Sequence, residues 1–372
     1  GDVYKRQGKG DPPMKAAGLI AAAGLSSRME DFKPLMELNG FPMIAMTVRS
    51  MRNAGIRNIT VVTGFRGEEV RKVLDPLGVS IVENPRYRET DMLASVKLGL
   101  SSMDTGNGVF FLPGDVPLTE PETFRKLWNI REERAGKVSA LIPMNGEKQI
   151  HPPYLSPEGC AGVLGYKGDF GLKGAMDAQD PLRVNVWDQG AGQDADVPGD
   201  FRAMAQYAKA HRGVSERICE NLYGEVSLPE HIRAHCRAVG ELAAHMAEKL
   251  VEAGAYLDIE LCRSGGYLHD LLRLSPHHEA AAEAFLEEKG YLALARVVGA
   301  HKGFPEEPET LCREEVLVCL ADKSILETSR VSFEERYRKA LEKKPVKERI
   351  LRDIRTCRRL AEEYEVMTGE KL

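Results

Sequence analysis

Aromatic residues are scarce in this chain. They make up 6% of 372 residues, with two tryptophans, which excludes a stacking platform for single-stranded nucleic acid. Charge of one sign is lacking too. Fifty-one basic residues face 56 acidic ones, a net charge of −5, so a nucleic-acid-binding coat is not expected. No apolar run approaches the roughly 18–20 residues that span a bilayer as a helix, so no membrane partner is expected. The seven cysteines are odd in number and scattered, with no C-x-x-C pair. That argues against a disulfide framework or a zinc ribbon, and for free thiols in a cytoplasmic protein. The P-loop pattern and the G-x-G-x-x-G fingerprint are both absent.

What is present is an ordinary globular balance, 43% hydrophobic and 29% charged. It is enough for two domains. Residues 1–13 are set apart as a tail. Asp2-Val3-Tyr4-Lys5-Arg6-Gln7 matches the translation of a common sequencing adapter, so residues 1–13 are expected to be adapter-derived or disordered. The expected division is then 14–211, a linker over 212–229, and 230–372.

The first region alternates strands and helices. Apolar strands are expected at 16–22, 58–63, 79–82, 108–112, 138–144 and 183–186. Helical spacing runs over 42–53, 68–74 and 93–100. This predicts an α/β domain, a mostly parallel sheet with helices on both faces, which binds ligands at the carboxyl ends of its strands. The loop Ala22-Ala23-Gly24-Leu25-Ser26-Ser27-Arg28 follows the first strand there. Small residues let the backbone approach a phosphate, and Arg28 and Lys33 add positive charge against a triphosphate. Asp115, in Pro113-Gly114-Asp115 after the fourth strand, suits Mg²⁺ beside phosphates. Asp194, Asp196 and Asp200 form a second acidic cluster whose carboxylates can share that ion.

Together these segments resemble the molybdenum-cofactor nucleotidyltransferases. The resemblance runs from Leu19 to Met29, through Lys33-Pro34-Leu35, Val62-Thr63-Gly64, Asn84-Pro85, residues 92–100, Gly114-Asp115-Val116-Pro117 and His151-Pro152. It continues to Gly168-Asp169-Phe170-Gly171 and 194–200. It implies Mg²⁺-dependent transfer of a nucleoside monophosphate from NTP, releasing pyrophosphate. By motif position, Ala22, Ala23, Gly24, Ser26, Ser27, Arg28 and Lys33 would bind the triphosphate, with Arg28, Lys33 and Asp115 in catalytic roles. Ser95 would lie near the base and ribose, and Asp115 and Asp196 would hold Mg²⁺. Ala22-Ala23-Gly24 is the cytidylyl version of the loop, which implies CTP. Two positions depart from the pattern: Glu30 and Asp91 stand where glycine is usual. The acceptor is expected to be a phosphorylated small molecule, the molybdenum cofactor favoured, with molybdoenzyme maturation partners in prospect.

The second region is helical and holds seven of the nine histidines. Adjacent His269 and Asp270 can turn toward one metal, with the carboxylate bridging two ions. His235 lies 34 residues before His269, and Asp322 lies 52 residues after Asp270 in an apolar helix. A carboxylate in so apolar a stretch needs a cation or hydrogen bonds. The order His…His-Asp…Asp resembles the HD superfamily of metal-dependent phosphohydrolases. That resemblance makes His235, His269, Asp270 and Asp322 metal ligands and Asp270 catalytic. It adds His277 and His301 in two-metal members, with His278 able to replace its neighbour. One or two transition-metal ions such as Mn, Fe or Zn are implied. The tail 333–359, with 11 basic and five acidic residues, is expected as a solvated helix face packed on this all-α domain.

The expected function is therefore a bifunctional enzyme, a cytidylyltransferase joined to a phosphohydrolase. The alternative is a sugar- or alcohol-phosphate nucleotidyltransferase whose HD domain senses a nucleotide without hydrolysis.

Overall fold

The computed structural model describes residues 14–24, 31–134, 137–193, 198–304, 308, 310–342 and 348–372. Two compact units divide between Ala205 and Gln206. Residues 1–13, and with them the expected tail, lie outside the described residues.

The first unit opens with β1 (Ala17–Ala22), whose six residues are all buried. A strand buried on both faces reads as a continuous apolar run, which is the pattern Ala-Gly-Leu-Ile-Ala-Ala carries. There follow a two-residue hairpin, β2 (Glu37–Leu38) and β3 (Phe41–Pro42), then α1 (Met43–Asn53), β4 (Ile59–Thr63), α2 (Gly67–Leu74) and β5 (Ser80–Glu83). Next come α3 (Met92–Ser101), β6 (Val109–Pro113), α4 (Pro121–Glu133) and β7 (Ala140–Asn145). The unit continues with β8 (Lys148–Gln149), β9 (Tyr154–Leu155), α5 (Pro157–Gly165), α6 (Gly171–Asp177) and β10 (Leu182–Asn185).

The sheet order is β10-β7-β9-β6-β1-β4-β5, with β8 on β7. The pairs β1–β4, β1–β6, β4–β5 and β7–β10 are parallel, and β9 is antiparallel to both β6 and β7. The two-residue β9 was not visible as a strand in the sequence, because it is too short to carry a period. One face is covered by α1, α2 and α4 through Ile44, Val48, Val70, Leu74, Phe124 and Leu127. The other is covered by α3, α5 and α6 through Leu93, Val96, Cys160, Val163 and Ala175. Chain order reverses direction on either side of β1, so the crevice at its carboxyl end, beside β6, is the switch point where α/β sheets bind ligands.

Helix α7 (Pro198–His211) crosses the division between the units. The second unit continues with α8 (Glu216–Glu225), α9 (Glu230–Glu252), α10 (Ile259–Leu268), α11 (His278–Glu288), α12 (Leu292–Gly299) and α13 (Glu314–Lys323). It ends in a small hairpin, β11 (Ile325–Leu326) and β12 (Ser329–Arg330), then α14 (Phe333–Leu341) and α15 (Glu348–Thr368). The expected linker over 212–229 is corrected here. Most of it is α8, capped by the Ser215 side chain, and Val214, Cys219, Leu222, Tyr223 and Leu228 belong to the helical core. Its apolar residues are ordinary core material, and the polar residues between them disguised it. The C-terminal helix buries Cys357, Leu360 and Tyr364 in the same core.

Helices α9 and α10 approach through glycine. A Cβ on Gly266 would lie 2.5 Å from the Gly240 Cα, and one on Gly240 would lie 2.1 Å from Tyr267 Cδ1. Only residues without a side chain permit that crossing. It sets the spacing between His235 and His269, which those helices carry.

No helix among the described residues is long and apolar enough to cross a membrane. All seven cysteines are free and buried.

Candidate functional sites

In the first unit, Ala22 ends β1, Ala23 follows it, and both are buried. The Ala23 carbonyl accepts from the Phe65 amide at 3.3 Å, which pins the start of the loop to the end of β4. Gly114 brings β6 against the same place. Its amide donates to the Ala21 carbonyl at 2.9 Å, and a Cβ there would lie 2.9 Å from the Ala22 Cβ. Asp115 follows directly. Lys33, in the short helical turn Lys33–Leu35, is buried, and its Nζ lies 3.5 Å from Asp115 Oδ2. The structure thus brings Ala22, Ala23, Gly24, Lys33 and Asp115 to the switch point of the sheet. Ser26, Ser27, Arg28, Asp194 and Asp196 lie outside the described residues. Asp200 sits in the first turn of α7.

Ser95 is buried on α3 and its Oγ accepts from Asn84 Nδ2 at 3.1 Å, which ties the helix to the end of β5. The departure at Asp91 has a local reason. Asp91 caps α3, its Oδ1 accepting from the Ala94 amide at 3.0 Å. Its charge is therefore directed at a helix N-terminus, which favours it.

Two residues of this unit were given no role from the sequence, although His151 lies in the His151-Pro152 segment of the resemblance. Asp188 is buried and accepts from the Glu120 and Ala191 amides and the Thr123 hydroxyl at 2.7–2.8 Å. It holds in place the loop that leads to 194–197. His151 precedes the antiparallel β9, where the Phe111 amide donates to the Pro153 carbonyl at 3.1 Å. That places His151 near the carboxyl end of β6, its ring edge-on to Phe111. Its Nδ1 is buried without a hydrogen-bond partner, and burial pushes its pKa down to about 4.

In the second unit four helices and two turns converge. His235 comes from α9, His269 from the C-terminus of α10, Asp270 from the turn after it, and Asp322 from α13. His278 opens α11, and His301 follows α12. Three of the imidazoles are oriented alike. The Nδ1 of His235 meets the Glu327 carbonyl at 2.8 Å, that of His269 the Gly266 carbonyl at 2.7 Å, and that of His301 the Val298 carbonyl at 2.6 Å. A carbonyl requires Nδ1 to carry a proton, so in each ring Nε2 is the nitrogen turned inward toward the carboxylates. Metal-ligating histidines are held this way.

Those nitrogens converge on carboxylates. His235 Nε2 and His269 Nε2 lie 3.3 and 3.6 Å from Asp322 Oδ1. His269 Nε2 lies 3.7 Å from Asp270 Oδ2, and His278 and His301 Nε2 lie 3.2 and 3.5 Å from Asp270 Oδ1. Two groups can each hold a cation among the described residues, His235 with His269 and Asp270, and Asp270 with His278 and His301. Asp270 belongs to both and offers one oxygen to each. His269 Nε2 is fully buried with no hydrogen-bond partner. A buried polar atom without a partner costs free energy that a bound cation would recover, so the residues present fit a metal.

The sequence offered His277 for this centre, with His278 as the alternative. The structure brings His278 to Asp270 and His301. His277 is exposed, in left-handed backbone at φ 49°, at the N-cap of α11. Helical geometry beginning at 278 is what separates the two rings, and sequence adjacency hides it.

The electrostatics favour cations. Burial works against the Asp322 carboxylate, yet the Lys323 ammonium and the two histidines hold it well below the usual carboxylate range. Asp270 is held low against the same burial by His269, His301 and Arg273. Burial favours neutral His269, yet Cys236, Asp270 and Asp322 raise its pKa. Lys323 is buried and its Nζ donates to Asp322 Oδ2 at 2.6 Å and to the His301 carbonyl at 3.0 Å. Sequence reasoning missed Lys323, Arg336 and the Glu327 carbonyl. Only the Lys beside Asp322 carried any signal.

Comparison with known proteins separates the same two units. Residues 18–182 match the MobA-like NTP transferase domain, and residues 232–325 match the HD domain. Molybdenum cofactor cytidylyltransferase from Escherichia coli strain K12 is 27% identical over 184 residues, 49% of this chain and 92% of that protein. Choline-phosphate cytidylyltransferase from Haemophilus influenzae is 28% identical over 35% of this chain. The 2-aminoethylphosphonate cytidylyltransferase from Lancefieldella rimae is 29% identical over 32% of it. The chain spans 59% and 50% of those two proteins. This chain therefore carries a MobA-like NTP transferase domain followed by an HD domain.

Proposed function

We propose that the chain is a bifunctional enzyme. Its first domain transfers CMP from CTP to a phosphorylated small molecule, the molybdenum cofactor favoured, and its second is a metal-dependent phosphohydrolase. The observation that carries the first reading is the pairing of Lys33 with Asp115 at the switch point of the sheet. A carboxylate that holds Mg²⁺ and a lysine that meets phosphate oxygens are the two charges a triphosphate needs there. An acceptor phosphate oxygen attacks the α-phosphorus of CTP. A new P–O bond forms, the bond to the β-phosphate breaks, and pyrophosphate leaves. Lys33 and Arg28 meet the developing negative charge, and Asp115 with Asp196 would hold the magnesium ion. Three relatives named as cytidylyltransferases support CTP. The first of them, matched over 92% of its length, supports the molybdenum cofactor as acceptor. Molybdoenzyme maturation partners would then follow the product.

Asp270, shared between two ligand groups, carries the second reading. His235, His269, Asp270 and Asp322 would hold one ion, and Asp270, His278 and His301 a second. Mn, Fe or Zn suits these nitrogen and oxygen donors, and such ions activate water and neutralise a leaving oxygen. Water attacks phosphorus, the ester P–O bond breaks, and the leaving alcohol takes a proton. The protein's part is to hold His235, His269 and His301 through Nδ1, so that each Nε2 faces inward, and to aim both Asp270 oxygens inward.

A panel of four NTPs with pyrophosphate detection tests the first domain, with the molybdenum cofactor, choline phosphate and 2-aminoethylphosphonate as acceptors. CTP with the molybdenum cofactor is expected to turn over fastest. Faster turnover of another acceptor moves the reading to that substrate. A phosphoester panel on wild type and Asp270→Ala tests the second domain. No turnover with Mn, Fe or Zn would make it a nucleotide-sensing module.

A further inference from the structure

We propose that Arg336 is the phosphate-anchoring residue of the His–Asp centre, supplied from outside the segment that matches the HD domain. The inference rests on reading that centre as a phosphohydrolase. Arg336 lies on α14, past the matched residues 232–325. Its Nη2 donates to Asp322 Oδ1 at 3.0 Å, and its Nε donates to the Asp322 carbonyl at 3.3 Å. Oδ1 is also the oxygen that faces His235 and His269. The guanidinium therefore stands where the converging imidazoles would share a cation. Oδ2 is taken by Lys323, so a metal ligated through Asp322 competes with Arg336 for Oδ1.

The two contacts of Arg336 respond differently to that competition. The bond from Nη2 is weakened when a cation withdraws electron density from Oδ1. The bond from Nε goes to a backbone carbonyl that no cation needs, and it keeps the side chain in place. With ions bound, this would leave a charged, planar group beside them with donors released, on a side chain 27% exposed. Guanidinium donors match the spacing of phosphoryl oxygens. Lys323 does not serve this purpose, because it is buried with its ammonium engaged on Asp322 and His301. Arg273 sits at the Asp270 side with a longer contact of 3.4 Å.

The test uses the full chain as wild type, Arg336→Ala and Arg336→Lys, with Asp270→Ala as the background for the transferase domain. Manganese uptake is measured by equilibrium dialysis. Binding of inorganic phosphate to the manganese-loaded protein is measured by calorimetry. Manganese affinity is expected to be kept or raised in both Arg336 variants, because a competitor for Asp322 Oδ1 is removed or weakened. Phosphate affinity is expected to fall about tenfold or more in Arg336→Ala and less in Arg336→Lys, which keeps the charge but not the fork. Unchanged phosphate affinity at full manganese loading in either variant overturns the proposal. Loss of manganese from both variants also overturns it, because Arg336 would then brace Asp322 for the metal. If Arg336→Ala does not fold, the Arg336→Lys measurement decides by the same criteria. A wild-type chain with no Asp270-dependent manganese uptake overturns the centre itself, a different failure from unchanged phosphate binding.

Discussion

Lys323 Nζ lies 2.6 Å from Asp322 Oδ2, deep in the helical unit, and the same ammonium donates to the carbonyl of His301. One buried cation thus braces a candidate ligand of one metal and the backbone of a ligand of the other. Removing it leaves the Asp322 carboxylate buried with part of its charge compensation gone. Lys323→Met is expected to lower the stability of the helical unit by about 3–5 kcal/mol, the usual cost of breaking a buried pair. Urea unfolding of the metal-free chain measures it, and a loss below about 1 kcal/mol would contradict the role.

Metal stoichiometry separates the ligands. Asp270→Ala is expected to abolish both ions, because both groups contain it. His278→Ala should remove one ion and leave the other, and His277→Ala should remove none. Elemental analysis of each purified variant reads this directly, and a loss confined to His277→Ala would reverse the assignment.

In the first unit, Lys33→Ala should reduce pyrophosphate release by two orders of magnitude or more with little change in melting temperature. Near-wild-type turnover in that variant would remove Lys33 from the chemistry.

His151 makes the first unit sensitive to acid. Its folded pKa, pushed down to about 4 by burial, lies below the value of about 6.5 expected in the unfolded chain. Between those values the unfolded state binds more protons, so stability rises with pH across that interval and falls as pH drops from about 6.5 toward 4. The effect is at most about 3 kcal/mol. His151→Gln should flatten the pH dependence of transferase-unit unfolding over this range, as followed by thermal melts from pH 4 to 7. An unchanged slope would place the acid sensitivity elsewhere.

Gly266→Ala tests the helix crossing. The added methyl would meet the Gly240 backbone at 2.5 Å, and overpacking of this kind costs about 1–3 kcal/mol. Because the crossing spaces His235 from His269, metal affinity should fall along with stability. Stability lost with metal affinity intact would separate the crossing from the centre.

The sequence by itself determined that an α/β unit with a mostly parallel sheet precedes a helical one. The alternation of apolar strands with helical spacing marked the parallel sheet, because a strand buried on both faces has no freedom in its pattern. Loop residues at strand ends, Ala22-Ala23-Gly24 and Asp115, stood out because a triphosphate with its cation would call for small and acidic residues there. The His269-Asp270 pair stood out because adjacent nitrogen and oxygen donors can turn toward one cation, and Asp322 because a carboxylate in an apolar helix needs a cation or hydrogen bonds. Tertiary structure alone decided the rest. It put α8 into the core where a linker was expected, because a helix with mixed polarity takes its meaning from what it packs against. It set His278 rather than His277 beside Asp270 and His301, because one residue at a helix start turns a ring by about 100°. It carried the Glu327 carbonyl, Lys323 and Arg336 to the candidate ligands. The contacts from Glu327 to His235 and from Arg336 to Asp322 span 92 and 14 residues of chain. No local pattern records contacts of that kind, because they arise only when distant segments are packed together.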